Sequence, residues 1–281
     1  MTRYGMVMDV TRCNGCYNCF LACKDEHCGQ AHPGYAAAQP MTGQSWIRVT
    51  EHERGQFPKV KVDYTAVPCL HCDDAACVAA SGDGAVYKRV DGIVLIDPQK
   101  AAGQRDVVQS CPHRLIFWND DVQVAQKCTL CAHLLDAGFK EPRCVEACPT
   151  GALVFGDLDD PESAVAKAFA EAEELRPEFS LGDKVRFAGL PGEFVAGCVV
   201  FGDSDACGVG ATVTLLGDDG VATSATADSF GDFAFEGLPA NARYTVTVAA
   251  PGYTPSTCEV TTRTSINLGD IVLGTLKEGA V

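Results

Sequence analysis

Four cysteines near the N-terminus restrict the possible folds of this chain more than any other feature. They lie in "CNGCYNCFLACK", where two residues separate each of the first three cysteines and three residues precede the last: Cys13, Cys16, Cys19 and Cys23. Bacterial ferredoxins bind iron–sulfur clusters through cysteine thiolates at this spacing. The run therefore predicts clusters bound by cysteine.

Three further runs follow, and they differ in completeness. The second is "PCLHCDDAACVAASGDGAV", which lacks its fourth cysteine; the third is "KAAGQRDVVQSCPHR", which keeps only its last; the fourth is "KCTLCAHLLDAGFKEPRCVEACPTGA", which is complete. Their cysteines are, in order, Cys69, Cys72 and Cys77; Cys111; and Cys128, Cys131, Cys144 and Cys148.

The missing cysteines follow from the way in which paired runs share ligands. In two-cluster ferredoxins the fourth cysteine of each run binds the cluster of the other run. If the second run pairs with the third, Cys111 completes one cluster. The partner cluster would need four residues that are not cysteine: Ser81, Ala101, Gln104 and Val107. The sequence thus indicates the loss of one whole cluster, with Cys111 retained as a ligand of the neighbouring one.

Pairing the first run with the fourth gives two more complete sites. Twelve cysteines therefore predict three [4Fe–4S] clusters, with Cys13, Cys16, Cys19 and Cys148 in cluster 1, Cys128, Cys131, Cys144 and Cys23 in cluster 2, and Cys69, Cys72, Cys77 and Cys111 in cluster 3. These cysteines are expected as ligands, and no catalytic residue is expected on this chain.

Structural zinc and disulfides are the alternatives for so many cysteines. Zinc also binds paired C-x2-C units, but it gives no reason for the C-x3-C-P endings or for the interleaved deletion. Cysteines two residues apart rarely bridge each other. Four cysteines receive no role and are expected as buried thiols: Cys28, Cys198, Cys207 and Cys258. His71 and His113 are expected in packing or at solvent, with a ring N–H that tunes a cluster as the alternative.

Length, charge and hydropathy narrow the class of protein. The chain has 281 residues, of which 47% are hydrophobic, and this suits two folded domains. Its formal net charge of −15 argues against nucleic acid or an anionic membrane as a partner. The N-terminal residues do not resemble a signal peptide, and no window approaches the roughly 18 apolar residues of a membrane helix.

The chain divides into three predicted segments. Residues 1–157 hold every predicted ligand, and within them Trp46 is expected at the surface of an insertion. Residues 158–190 form a helical linker, whose helix is expected to begin at Asp160 as N-cap and to stop at Pro177. Over residues 191–281 the alternation in "ATVTLL", "FAFEGL" and "YTVTVAA" predicts about seven strands. The fold class is α+β: a ferredoxin-like multi-cluster domain followed by a small all-β sandwich or barrel, similar to transthyretin and to carboxypeptidase regulatory domains.

The layout of the four runs resembles the iron–sulfur electron-transfer subunits of the dimethyl-sulfoxide-reductase family of molybdopterin enzymes. The lost cluster, the segments "DGIVLIDPQKA" and "AQKCTLCAHLLD", and a C-terminal β domain in place of a membrane helix are similar to the small subunits of pyrogallol–phloroglucinol transhydroxylases. The resemblance implies a heterodimer or higher oligomer. In it, a large subunit would hold the molybdenum bis-molybdopterin guanine dinucleotide cofactor and the active site for polyhydroxylated aromatics, and this chain would transfer electrons.

Three other functions stay open from the sequence. One is the small subunit of a catechol dehydroxylase or of another molybdenum reductase, which needs electrons from outside. Another is a subunit of formate dehydrogenase or of a respiratory reductase. The alternative of a different class is a zinc-stapled binding module attached to a β domain. We expect a cytoplasmic location, with export alongside a signal-bearing large subunit as the alternative.

Overall fold

The computed structural model describes residues 2–276 and divides the chain into two compact units. The cysteine-rich unit comprises Met1–Glu51 and Asp63–Leu190, and the β unit comprises His52–Val62 and Pro191–Val281. Among the described residues, no helix has the length and apolarity needed to cross a bilayer.

Short elements joined by turns make up the chain up to residue 190. The strands are β1 Tyr4–Asp9, β2 Ile47–Gln56, β3 Lys59–Pro68, β4 Val86–Lys88, β5 Val94–Ile96, β6 Phe117–Asn119, β7 Val124–Gln126, β8 Leu153–Asp157 and β9 Val185–Ala188. The helices are α1 Asn18–His27, α2 Ala76–Ala80, α3 Asp106–Gln109, α4 Ala132–Asp136, α5 Arg143–Glu146 and α6 Ala164–Glu171, with 3-10 turns at Val10–Arg12 and Pro177–Phe179.

Strand β1 lies at the centre of a three-stranded sheet in the order β8-β1-β9. It pairs antiparallel with β8 and parallel with β9. Both faces of β1 are covered, because Met6 and Met8 lie in the main core whereas Val7 packs with Val165 of α6. A strand that is buried on both faces needs a continuous apolar run instead of an alternating one, and "GMVM" supplies it.

The segment 158–190, expected as a helical linker, contributes instead to this sheet. Helix α6 begins at Ser163, whose side chain accepts a hydrogen bond from Ala166 N at 3.1 Å, so the expected N-cap at Asp160 is wrong. The helix ends at Glu171 because the backbone of Glu173 forms hydrogen bonds with Phe187 in both directions. Strand β9 follows and pairs with β1.

The insertion between the first two cysteine runs is packed more closely than its turn-rich sequence indicates. Trp46, expected at the surface, is 1% exposed. Its ring centroid lies 4.6 Å from that of His27, which ends helix α1. The insertion therefore takes part in the main core, and Trp46 is one of its largest fully buried side chains.

The β unit contains eight further strands among the described residues: β10 Glu193–Phe201, β11 Ala206–Cys207, β12 Thr212–Gly217, β13 Ala222–Thr226, β14 Asp232–Leu238, β15 Arg243–Ala249, β16 Ser256–Thr261 and β17 Ile266–Leu273. One four-stranded sheet has β10 at its centre, and the other has the order β13-β12-β15-β16. The inward side chains of both sheets share one core, which includes Val195, Val213, Phe233 and Val246. The three alternating segments are strands β12, β14 and β15, as predicted.

Residues 52–62, the outer part of the β2–β3 hairpin, also belong to the β unit. Lys59 and Lys61 form ion pairs with Asp232 and Glu236 of β14. The sequence offered no sign of this, because the two pairs join residues that are more than 170 positions apart.

The position of the α6 N-cap generates a prediction. In Ser163→Ala, amide exchange across α6 should accelerate about fivefold, because an N-cap serine contributes roughly 1 kcal/mol to its helix. Hydrogen-exchange mass spectrometry on the anaerobically purified protein measures this. The matched control is Asp160→Ala, which removes only a contact with Glu162 N and should change exchange less. A larger effect in the control would contradict the assignment.

Candidate metal centres

The first group of thiols surrounds a cavity at the N-terminal end of α1. Cys13, Cys16, Cys19 and Cys148 all line it. Gly15 adopts a φ of +68° in the loop between them, and a Cβ at this residue would lie 2.6 Å from the ring of Tyr64. Only glycine therefore fits the loop that brings Cys13 and Cys16 to one cavity.

The second group is more deeply buried. Cys23, Cys128, Cys131 and Cys144 are each at most 8% exposed. Burial, followed by the nearby Cys128 and Cys131, holds the pKa of the Cys23 thiol well above its ordinary value. The pKa of the Cys144 thiol is also well above its ordinary value, because of burial and then of the nearby Cys128, Cys131 and Cys23. Cys23 lies one helical turn after Cys19 on α1, yet its principal thiol neighbours come from a segment more than 100 residues away.

The third group lines another cavity, mostly with apolar neighbours. Its thiols are Cys69, Cys72, Cys77 and Cys111, and its other lining residues include Leu70, Val94 and Ile116. His71 and His113 line the same cavity. Cys111 comes from the depleted third run, and its Sγ accepts a hydrogen bond from Leu115 N at 3.5 Å.

The chemistry of these groups suits iron–sulfur clusters. Each of the twelve cysteines is a free thiol in the structure. Burial raises the pKa of Cys19 and of Cys128 to about 11, and that of Cys131 to about 12. Such thiols stay protonated near neutral pH unless a cation binds them, since only the thiolate is a good metal ligand. Three groups of four thiols, gathered without disulfides, are a donor set that fits iron–sulfur clusters.

The backbone also prepares some sulfur atoms for negative charge. Burial raises the pKa of Cys148, but hydrogen bonds from Leu153, Ala152 and Thr150 outweigh it and leave the pKa below its ordinary value. Leu130 N donates to Cys128 Sγ at 3.3 Å. Such N–H groups stabilise a thiolate and would also stabilise a cluster that it binds.

Apolar packing and one amide side chain occupy the positions of the cluster that the sequence indicates is lost. Ala101 and Val107 are at most 1% exposed and belong to a small core of their own. Gln104 accepts a hydrogen bond from Gly82 N at 2.9 Å and donates to Lys100 O at 3.0 Å. Ser81 Oγ accepts from Val86 N at 3.0 Å. These side chains join the two segments that a cluster would otherwise bridge.

Two polar groups lie beside the thiols, and the sequence did not predict them. The carboxyl group of Asp183 is 1% exposed and lies 3.8 Å from His113 Nε2. Burial raises the pKa of Asp183 to about 6, although the nearby Cys72 thiol lowers it. Because Asp183 follows Cys72 by more than 100 residues, no local pattern could have revealed it.

His27 is the second such group, and its spacing carried a usable signal. Its Nε2 lies 3.8 Å from Cys131 Sγ, and the ring is 1% exposed. His27 follows Cys23 by four residues on α1, so both side chains lie on one face of the helix. Next to it, Glu26 accepts a hydrogen bond from His133 Nε2 at 2.9 Å and forms an ion pair with Arg143 at 2.8 Å.

The four cysteines without a predicted role are less buried than expected. Cys207 and Cys258 are exposed, so the prediction of a buried thiol is wrong for both. Cys28 and Cys198 are partly buried. Cys207 lies on the short strand β11 and Cys258 on β16, where alternate side chains point away from the core.

Comparison with known families shows which proteins resemble this chain. A model described as "4Fe-4S dicluster domain" matches residues 60–158, and one described as "Carboxypeptidase regulatory-like domain" matches residues 195–274. The small subunit of pyrogallol hydroxytransferase from Pelobacter acidigallici is 40% identical over 282 residues, which cover 97% of this chain and 100% of that one. This chain belongs to the family of iron–sulfur electron-transfer subunits of molybdoenzymes.

Other members of this iron–sulfur subunit family match a smaller part of the chain. A tetrathionate reductase subunit of Salmonella typhimurium is 34% identical, with coverage of 69% of this chain and 75% of that one. A putative iron–sulfur subunit of dimethyl sulfoxide reductase from Halobacterium salinarum is 36% identical, with coverage of 61% and 72%. The match to the pyrogallol hydroxytransferase chain, in contrast, extends through the β unit.

Proposed function

We propose that this electron-transfer subunit holds three [4Fe–4S] clusters, each bound by one of the three groups of thiols. The observation that carries the proposal is the grouping itself. Twelve cysteines from four distant runs gather in three sets of four, whereas two packed apolar side chains and two hydrogen-bonded polar ones occupy the positions of a fourth cluster. Bound there, the clusters would supply one-electron redox chemistry. The chain supplies thiolates, N–H donors and apolar walls that keep water out.

The proposed ligands are those that the sequence predicts. Cluster 1 takes Cys148 from the fourth run and cluster 2 takes Cys23 from the first, so each of these two runs contributes to both sites. This exchange of ligands is typical of ferredoxin-like domains. For the β unit we propose that its two four-stranded sheets pack as a sandwich, which is supported by the core they share.

The first test of the proposal is the metal content. The anaerobically purified chain should contain about 12 iron atoms and about 12 acid-labile sulfides, because each cubane holds four of each. Inductively coupled plasma mass spectrometry and a sulfide assay measure both. About 16 irons would point to a fourth cluster with other ligands, and bound zinc without sulfide would support the zinc-stapled module.

The exchange of ligands is tested at Cys23. In Cys23→Ala the EPR difference spectrum of the reduced protein should match that of Cys131→Ala, because both changes remove a ligand of cluster 2. It should differ from that of Cys16→Ala, which affects cluster 1. Cys28→Ala, also next to α1 but outside the three groups, is the matched control and should resemble the unaltered protein. A Cys23→Ala spectrum that matches Cys16→Ala would contradict the pairing.

For the partner we propose a large molybdopterin subunit that acts on polyhydroxylated aromatics, as in pyrogallol–phloroglucinol transhydroxylase. The match over the whole length of a pyrogallol hydroxytransferase small subunit supports this. The active site would lie on the large subunit, which holds the molybdenum cofactor. A cytoplasmic location stays a prediction, with export alongside the large subunit as the alternative, and cell fractionation tests it.

A catechol dehydroxylase is the second candidate, because its small subunit would perform the same electron transfer. The two differ in electron balance: a transhydroxylase moves a hydroxyl group between two rings without net redox change, whereas a dehydroxylase consumes two electrons per product.

Turnover of the purified complex separates these candidates. After one initial reduction, the complex should convert a trihydroxybenzene through many turnovers with a hydroxylated aromatic co-substrate and no further reductant. Product formation by liquid chromatography, against reductant consumed, gives the balance. The isolated small chain is the control and should form no product. A requirement for two electrons from reductant per product would establish the dehydroxylase instead.

A further inference from the structure

His71 presents a buried hydrogen-bond donor whose partner is missing from the protein. The ring is 1% exposed, and its Nδ1 accepts a hydrogen bond from Val94 N at 3.0 Å. A backbone N–H can only donate, so Nδ1 must carry the lone pair. Hence the proton of the neutral ring lies on Nε2.

The hydrogen bond from Val94 N also keeps this ring neutral, because Nδ1 cannot hold a proton while it accepts that bond. Nearby, Lys127 is buried, and its Nζ donates to Val94 O and Cys128 O. His71 therefore has one fixed tautomer with one N–H to donate.

This N–H finds no acceptor among the described residues. Nε2 of His71 is buried and without a hydrogen bond. A buried donor that is left unpaired costs about 1–3 kcal/mol, and nearly all such groups in proteins have a partner. His71 lines the same cavity as Cys69, Cys72, Cys77 and Cys111. Apart from the ring of His113, the lining side chains that can accept a hydrogen bond there are those of the four cysteines.

We propose that His71 Nε2–H donates a hydrogen bond to a sulfur of cluster 3, either an inorganic sulfide or a cysteine thiolate, and thereby raises the reduction potential of that cluster. The proposal rests on the proposed function, since it requires a cluster in this cavity. Reduction adds negative charge to the cluster, and a donor aimed at its sulfur stabilises the reduced form more than the oxidised form.

The histidines near the three groups of thiols differ in their settings. The cavity of cluster 1 is lined, among the described residues, by no histidine, and the histidine beside cluster 2 is His27, whose Nε2 lies 3.8 Å from Cys131 Sγ. His113 lines the same cavity as His71, but its nitrogens lack a backbone donor that would fix the tautomer. His71 is therefore a positioning and tuning residue, with the Val94 backbone as the group that orients its proton.

The test compares two substitutions at His71 by EPR-monitored redox titration of the intact complex. His71→Leu removes the donor and should lower the ratio of reduced to oxidised cluster 3 about tenfold at a fixed potential, which corresponds to about 59 mV for one electron. His71→Gln keeps an N–H near the position of Nε2 and should restore most of the ratio. The signal of cluster 3 is identified by its loss in Cys111→Ala.

A second measurement needs no substitution at His71. With 15N-labelled histidine, pulsed EPR of the reduced, unaltered complex should show a nitrogen coupling to cluster 3 and an exchangeable proton in deuterated solvent, and both should persist in His113→Leu, which removes the other histidine of this cavity. An unchanged potential in His71→Leu with full iron content, or no coupling in the unaltered complex, overturns the hydrogen bond and leaves the three clusters intact. If Cys111→Ala removes no EPR signal, cluster 3 itself is absent and the proposed function fails with it.

Discussion

The convergence of thiols from distant parts of the chain is the constraint on which the rest of the cysteine-rich unit depends. Four thiols buried together repel one another once charged, and burial alone already raises their pKa values well above neutrality. As thiolates they are stable in the interior only when a cation compensates their charge. The N-terminal run must therefore meet the run around residue 140. Strand β1, which precedes the N-terminal run, pairs with β8, which follows the other run. The short helices and hairpins of this unit are therefore stabilised by the packing of these runs against each other more than by their own length.

How far the sequence could predict the structure depends on whether the controlling signal is local. The cysteine spacings are local, and the rule for sharing ligands extends them to the partner runs, so the three groups could be predicted. Alternation likewise located strands β12, β14 and β15. The N-cap of α6 was misplaced because Asp160 and Ser163 are both good capping residues, and only the contact of Ser163 with Asp157 O selects between them.

Non-local packing explains what the sequence could not reveal. Trp46 lies among turn residues, and nothing nearby indicates that His27 covers its ring. Strand β9 is only four residues long and becomes a strand because β1 offers it a parallel edge. Asp183, just before β9, reaches Cys72 through the same placement, since Lys184 N bonds to Leu70 O. The backbone hydrogen bond between Lys184 and Leu70 thus brings the carboxyl group of Asp183 close to the third group of thiols.

The filled positions around Ala101 and Val107 have a consequence for any attempt to add a metal site there. A lone cysteine at either residue would enter a closed apolar core and would gain no metal, because a cubane needs four ligands at once. Cysteine in place of Ala101 would add bulk to a packed interior, cysteine in place of Val107 would leave a gap in it, and neither change alone would bring a redox benefit. A further metal site would need all four positions changed at once, and the change at Gln104 would also remove its hydrogen bonds with Gly82 and Lys100.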